Sequence, residues 1–182
     1  LNTGTIAGQN GWASAGGTWT VTVAGGGKTV VGGNSSSNTS PISQTGYSSK
    51  DTRLVVDFIA PVVGQSSIHA WLRRTSSAST AAGYNLYYFS DGKFYLAYLS
   101  GGTITGLTNI TMALTAGAWY TLEFEAINDG SGNPVLKGWI YPQGTSRPAS
   151  PNITHTDTVQ RQPNAGFVGV GGFNRAVTVD NV

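Results

Sequence analysis

Apolar and polar residues alternate along most of the chain, and clusters of turn-forming residues interrupt the alternation about every eight to twelve residues. Alternation with a period of two predicts strands that turn one face towards a core. Short strands at this spacing are typical of β-sandwiches and barrels, and almost no segment has the periodicity of a helix. The pattern therefore predicts an all-β fold, a two-sheet antiparallel jelly-roll sandwich.

Two consecutive segments, residues 52–60 and 67–74, show the alternation clearly. Every second residue in them is apolar and is predicted to face the core: Leu54, Val56 and Phe58 in the first segment, and Ile68, Ala70 and Leu72 in the second. The opposite face of the second segment then carries His69, Trp71 and Arg73.

The dipeptide Asp91-Gly92 predicts a tight hairpin, because a two-residue type I′ turn needs positive φ at both central positions. This turn would place Phe89 opposite Phe94. The same register would put Asn85, Tyr87 and Tyr98 on one face of the hairpin.

Together these strands predict a surface of aromatic and polar side chains on the side of one sheet that faces away from the core. Its members are His69, Trp71, Arg73, Asn85, Tyr87 and Tyr98. Aromatic rings cover the C–H surface of a sugar, and polar groups bond its hydroxyls, so the set is a candidate glycan site. The alternative is that these aromatics pack under a loop or against a neighbouring subunit.

The composition argues against two classes of partner. The net charge is +2 and the ten basic residues are scattered, so the chain lacks the basic patch of a nucleic-acid-binding protein. No stretch approaches the ~20 apolar residues of a membrane-spanning helix, which predicts no membrane insertion. Charged residues are 10% of the chain, against about 25% in average domains. A surface rich in hydroxyls and amides suits an extracellular or virion surface.

The order of the elements resembles the concanavalin A-like jelly roll, in particular its laminin-G-like members. The resemblance is carried from Arg53 onward by the segments "LVVDF", "IHAWLRR", "GYNLYYFSDGKFYLAYLSGG", "GAWYTLEFEA", "GFVGVGGF" and "VDNV". The opening "GQNGW" and "GGTWTV" is similar to the start of such domains in phage tail, capsid-surface and bacterial extracellular proteins. Lectins, carbohydrate-binding modules, glycosidases and lyases share this fold, so the resemblance implies an architecture rather than one function.

Glu123 and Glu125 lie two residues apart on a predicted strand, hence on one face and ~6.6 Å apart at the backbone. That spacing permits the paired carboxylates of a glycosidase. The glucanases of the resembled fold carry three acids in a Glu-x-Asp-x-(x)-Glu strand, which "LEFEAIND" does not match. The lyases use a Gln-x-His strand, where this chain has Ser67 before His69. We therefore interpret the two glutamates as a solvated outer face and predict no enzyme activity.

The histidines of the chain, His69 and His155, show no transition-metal spacing, and no cofactor is predicted. The resembled jelly rolls often bind calcium near the chain termini. Asp180 with Asn181 could supply oxygen ligands there, although a strand-end aspartate that caps a turn is the simpler interpretation.

The sequence thus predicts a single domain over residues 1–182, a non-catalytic carbohydrate-binding or adhesive module whose partner is a glycan. Because the chain begins at Leu1 and ends within the strand-like "VTVDNV", we expect a piece of a larger extracellular or virion assembly. Two alternatives stay open. One is a structural capsid-decoration or tail-fibre domain that contacts neighbouring subunits, as in a homo-oligomer. The other is a glycoside hydrolase or polysaccharide lyase.

Overall fold

A computed structural model describes residues 4–5, 8–14, 19–24, 27–32, 40–61, 67–159, 161–173 and 177–180. These residues form two antiparallel β-sheets and no helix. The strands are β1 (Gly4–Thr5), β2 (Trp12–Ser14), β3 (Thr20–Ala24), β4 (Gly27–Gly32), β5 (Ser40–Ser49), β6 (Thr52–Ile59), β7 (Ser67–Arg74), β8 (Gly83–Phe89), β9 (Lys93–Ser100), β10 (Thr103–Thr111), β11 (Trp119–Asn128), β12 (Pro134–Pro142), β13 (Ile153–Thr156), β14 (Gly166–Phe173) and β15 (Val177–Asp180).

The strand order is that of a sandwich in which the chain crosses repeatedly between sheets. The first sheet has eight strands in the order β1-β3-β4-β15-β6-β11-β12-β13, and the second has seven in the order β10-β9-β8-β7-β14-β5-β2. Three consecutive hairpins, β7 to β10, form one half of the seven-stranded sheet. The prediction of an all-β, two-sheet jelly roll is confirmed. No helix in the described part of the chain is long and apolar enough to cross a membrane.

The core lies between the two sheets and contains every core residue that the alternation of β6 and β7 predicted: Leu54, Val56, Phe58, Ile68, Ala70 and Leu72. At Gly138 on β12 the backbone lies close to side chains of both sheets. A Cβ at this position would lie 2.6 Å from Leu86 of β8 and 2.8 Å from Ile153 of β13. A side chain here would therefore push the layers apart.

The β8–β9 hairpin differs from the prediction by one residue. Phe89 pairs with Lys93, so the loop has three residues, Ser90 to Gly92. Gly92 has φ of +80°, whereas Asp91 is not among the positive-φ residues, which excludes a type I′ turn. A one-residue change of register turns every β9 side chain to the other face. Tyr95 therefore faces away from the core, and Tyr98 packs against Tyr84 on the core side.

Strand β7 departs from alternation at its end, where the prediction for Arg73 is wrong. Arg73 has φ of +55°, and the pairing of β14 with β7 shifts register between Phe167 and Gly169. This bulge turns the Arg73 guanidinium to the core side, where it donates to the Gln162 carbonyl and the Asn128 side chain. The neighbouring Arg74 takes its place on the outer face.

Candidate functional site

A cavity of about 500 Å³ lies on the outer face of the seven-stranded sheet, over β7, β8 and β9. This volume is in the range of small-molecule sites, about 300–1,000 Å³. Its walls come from the sheet, the β7–β8 loop and the β9–β10 turn. The lining residues are Ser67, His69, Ser79, Thr80, Tyr87, Phe89, Asp91, Tyr95, Leu99, Gly102, Ile104 and Phe173.

The β7–β8 loop, residues 75–82, folds back to form one wall of the cavity. Backbone bonds close it, from Thr75 N–H to Ala82 and from Ala81 N–H to Ala78. The buried Arg74 guanidinium donates to the Ala78 carbonyl from below. These contacts place Ser79 and Thr80 in the cavity wall.

Four aromatic rings form a continuous stack across strands β7 to β9. Trp71 and His69 lie 5.9 Å apart between ring centroids, His69 and Tyr87 4.8 Å, and Tyr87 and Tyr95 4.7 Å, with interplanar angles of 11°, 16° and 9°. The Arg74 guanidinium covers the Trp71 ring at 4.9 Å. Tyr87 is covered by rings on both faces. The stack ends at Tyr95, whose partner on the next strand, β10, is Asn109.

His69 is held in one tautomer by its neighbours. Asn85 donates through Nδ2 to the Ala70 carbonyl, which turns Asn85 Oδ1 towards His69 Nδ1 at 2.9 Å. Nδ1 must then carry the proton, since Oδ1 only accepts. Burial lowers the pKa of His69 to about 4, so its Nε2 is unprotonated at neutral pH and accepts the hydroxyl proton of Ser67 at 2.6 Å.

The hairpin loop supplies the acidic end of the cavity. Tyr95 donates its hydroxyl proton to Asp91 Oδ2 at 2.8 Å, and the Lys93 backbone N–H donates to Asp91 Oδ1. Burial, followed by the bond to the carboxylate, raises the pKa of Tyr95 to about 12. The phenol therefore keeps its proton at neutral pH and directs it at Asp91.

The structure brings together part of the predicted site. His69 and Tyr87 line the cavity, and Asn85 supports His69 from below. Trp71 lies on the predicted face, but the Arg74 guanidinium covers its ring and the side chain is buried. For Trp71 the structure therefore agrees with the alternative interpretation, in which the aromatic residues are packed under other parts of the protein. Arg73 and Tyr98 lie on the core side and take no part in this surface.

Sequence reasoning missed Ser67, Asp91 and Tyr95. Ser67 and His69 stand two residues apart on one strand, so simple alternation could have placed the serine on the same face. The placement of Asp91 and Tyr95 depended on the length of the hairpin loop, which was predicted from Asp91-Gly92 as two residues and is three in the structure.

Glu123 and Glu125 face outward from the eight-stranded sheet, as expected. Glu123 is fully buried there, so the interpretation of a solvated face is wrong for it. Its Oε1 lies 2.7 Å from Arg147 Nη1 and 3.1 Å from Arg53 Nε, while Glu125 pairs with Lys137 at 3.2 Å. Both carboxylates are thus neutralised by cations and lie on the sheet that does not carry the cavity.

The metal prediction centred on Asp180 has no structural test, since Asn181 lies outside the described residues. Asp180 stands opposite Asp57 on neighbouring strands. Within the ranges that the structure describes, no three His, Cys, Asp or Glu side chains come together as a metal site would require. His155 lies on β13, where it pairs with Leu136 of β12 in the eight-stranded sheet, whereas His69 lies in the seven-stranded sheet.

Comparison with known proteins supports the fold. Carbohydrate-binding module CBM66 from Bacillus subtilis matches with a TM-score of 0.71 and 18% identity, covering 96% of this chain and 95% of that one. An endo-β-1,4-glucuronan lyase from Trichoderma reesei matches at 0.56 and 14%, covering 98% and 91%. Sheep galectin-11 matches at 0.53 and 13%, covering 80% and 98%. The chain therefore has the concanavalin A-like jelly-roll fold that the sequence resembles.

In contrast to the structural matches, no protein-family model matches the sequence, and no curated protein matches it significantly.

Proposed function

We propose that this protein is a non-catalytic carbohydrate-binding module whose ligand occupies the cavity over Tyr87 and Tyr95. The observation that carries the proposal is the stacked pair of rings, Tyr87 and Tyr95, that lines a cavity together with hydroxyl-bearing and apolar side chains. A sugar needs this combination, because its C–H face packs on an aromatic plane while its hydroxyls exchange hydrogen bonds at the edge.

The structural neighbours agree with a sugar ligand. The first is described as a carbohydrate-binding module, and a legume lectin complexed with galactose matches over 98% of this chain with a TM-score of 0.52. At 18% and 9% identity these matches establish the fold. The ligand class is argued from the cavity itself. Display on an extracellular or virion surface stays a prediction from composition.

The serine and histidine of the cavity resemble a nucleophilic triad in connectivity, since Ser67, His69 and Asn85 form one hydrogen-bonded chain. A general base works best with a pKa near the working pH, and burial holds the pKa of His69 at about 4. Deprotonation of Ser67 by His69 is therefore unfavourable at neutral pH. We therefore infer that the hydrogen bonds among Ser67, His69 and Asn85 fix the shape of the cavity floor and do not serve acyl transfer.

Titration calorimetry against a panel of oligosaccharides tests the proposal. Tyr95→Ala removes one of the two stacked rings in the cavity wall and is expected to weaken binding by about two- to tenfold, since packing on an aromatic ring contributes about 0.5–1.5 kcal/mol beyond its area. Tyr47→Ala is the matched control, because Tyr47 is an exposed tyrosine of the same seven-stranded sheet that does not line the cavity. Equal loss in both variants, or none in Tyr95→Ala, would dismiss this cavity as the site.

A further inference from the structure

The two hydroxyl groups at the Tyr95 end of the cavity already donate their protons to other side chains of the protein. Ser67 donates to His69 Nε2, and Tyr95 donates to Asp91 Oδ2. The remaining lone pairs of both hydroxyls are available to a ligand, and an ionised aspartate only accepts. Ser67, Tyr95 and Asp91 are therefore three fixed acceptors.

The donor side of the cavity is adaptable rather than fixed. Tyr87, Ser79 and Thr80 line it, and within the described residues their hydroxyls have no hydrogen-bond partner. A free hydroxyl rotates to donate or accept as a ligand requires. The lining residues include no lysine or arginine, and the nearby Lys93 is exposed and does not line the cavity. Among the residues that the structure describes, a negative ligand would thus meet the Asp91 carboxylate without a compensating cation in the cavity lining.

We propose that the cavity takes neutral sugar units, whose hydroxyls donate to Ser67, Tyr95 and Asp91, and that it discriminates against uronic acids. This inference rests on the proposed function and adds its ligand class. The C6 group decides the selection. A primary hydroxyl has a proton to donate to a fixed acceptor, whereas a uronate carboxylate has none and is repelled by Asp91.

A preference for neutral sugars would distinguish the ligand of this protein from the substrate of one of its structural neighbours. The neighbour from Trichoderma reesei is described as a lyase of glucuronan, a polymer of uronic acid. In this chain the fully buried Arg73 and Arg74 both lie outside the cavity lining, with Arg74 packed on Trp71 and Arg73 on the core side. Neither is placed to neutralise a uronate in the cavity.

Matched pairs of ligands test the inference. The wild-type protein is titrated with β-1,4-linked glucose oligomers and with β-1,4-linked glucuronate oligomers of equal length, and then with galactose and galacturonate oligomers. Members of a pair differ at C6. At low salt, the neutral member of a bound pair is expected to bind at least about tenfold more tightly, the ratio that one hydrogen bond to a charged group supplies. Equal or tighter binding of the uronate member overturns the inference and leaves the proposed function standing. Absence of binding to any sugar overturns the proposed function as well.

A charge variant shows whether Asp91 makes the distinction. Asp91→Asn keeps the shape of the side chain and removes its charge, so the neutral-to-uronate ratio is expected to fall severalfold. Asp129→Asn is the control, because Asp129 lies in the loop between β11 and β12 and does not line the cavity. It is expected to leave the ratio unchanged. An unchanged ratio in Asp91→Asn overturns the assignment of selectivity to this carboxylate.

Discussion

Tyr87 and Tyr95 stand opposite each other on adjacent strands, with their rings parallel and 4.7 Å apart. The pairing exists because the hairpin loop between them has three residues, which turns Tyr95 outward instead of Tyr98. The presence of Tyr95 in the ring stack is thus a consequence of a single residue in a turn.

The turn itself depends on the positive φ of Gly92. Gly92→Ala is expected to destabilise the protein by about 1–2 kcal/mol, because a Cβ is unfavourable in the left-handed region. Gly92→Asn is expected to cost less, since asparagine tolerates this conformation. Chemical denaturation measures both variants. Equal stability of Gly92→Ala and the wild type would contradict the positive φ of Gly92.

Burial of a neutral His69 makes stability depend on pH. The pKa of His69 falls from 6.5 to about 4 on folding, so between these values the unfolded chain binds a proton that the folded chain does not. The free energy of unfolding is therefore expected to decrease as the pH is lowered from 6.5 to 4, by up to about 3 kcal/mol.

The variant His69→Gln removes this titration while it keeps a donor and an acceptor, so its stability should fall less steeply over the same pH range. His155→Gln, in the other sheet, is the control for the loss of a histidine that has no contact with Ser67 or Asn85. Urea denaturation at several pH values gives the slopes. If His69→Gln and the wild type had the same slope, the conclusion that His69 is buried in its neutral form would be contradicted.

Arg74 links the aromatic stack to the cavity wall. Its guanidinium is buried, and within the described chain its Nε and Nη1 have no hydrogen-bond partner, while another nitrogen bonds to Ala78. Desolvation lowers its pKa to about 10, which shows how poorly the charge is compensated. Arg74→Met is expected to change stability by less than about 1 kcal/mol, because an apolar side chain replaces an uncompensated charge.

The same variant releases the Ala78 carbonyl and so loosens the 75–82 loop. Sugar affinity is expected to fall by about three- to tenfold, since the ligand must then order this wall. Calorimetry measures affinity and thermal unfolding measures stability on the same samples. A large loss of stability together with unchanged affinity would contradict the conclusion that Arg74 orders the cavity wall and contributes little to stability.

The two sheets approach closely at Gly138, so Gly138→Ala tests the packing of the sandwich. A new Cβ would overlap Leu86 and Ile153, and overpacking of this kind costs about 1–3 kcal/mol. Gly130→Ala is the control, because no atom lies within 4 Å of its added Cβ. The denaturant midpoint of Gly138→Ala is expected to be lower than that of Gly130→Ala. Equal midpoints would contradict the close contact of Gly138 with Leu86 and Ile153.

The sequence was sufficient for the architecture and for the core faces of β6 and β7. Their alternation is unambiguous, because charged or polar residues such as Arg53 and His69 occupy the opposite face. In β9 both faces are apolar or aromatic, from Phe94 and Tyr95 onward, so the pattern alone could not reveal a one-residue error of register.

The position of Arg73 could not be predicted for a different reason. Its left-handed backbone belongs to a bulge that forms with β14, a strand more than ninety residues further along the chain. Local alternation contains no information about such a partner. The cavity wall likewise depends on a contact between Arg74 and its own loop that neither residue type nor spacing indicates.

The most direct test of the account is to map the ligand by NMR. Backbone and tyrosine ring signals of the isotopically labelled protein are followed while a neutral oligosaccharide that binds is added. The account predicts the largest shifts at Ser67, Tyr87, Tyr95 and the loop residues Ser79 and Thr80. Shifts concentrated instead on the outer face of the eight-stranded sheet, around Glu123 and Trp139, would contradict it.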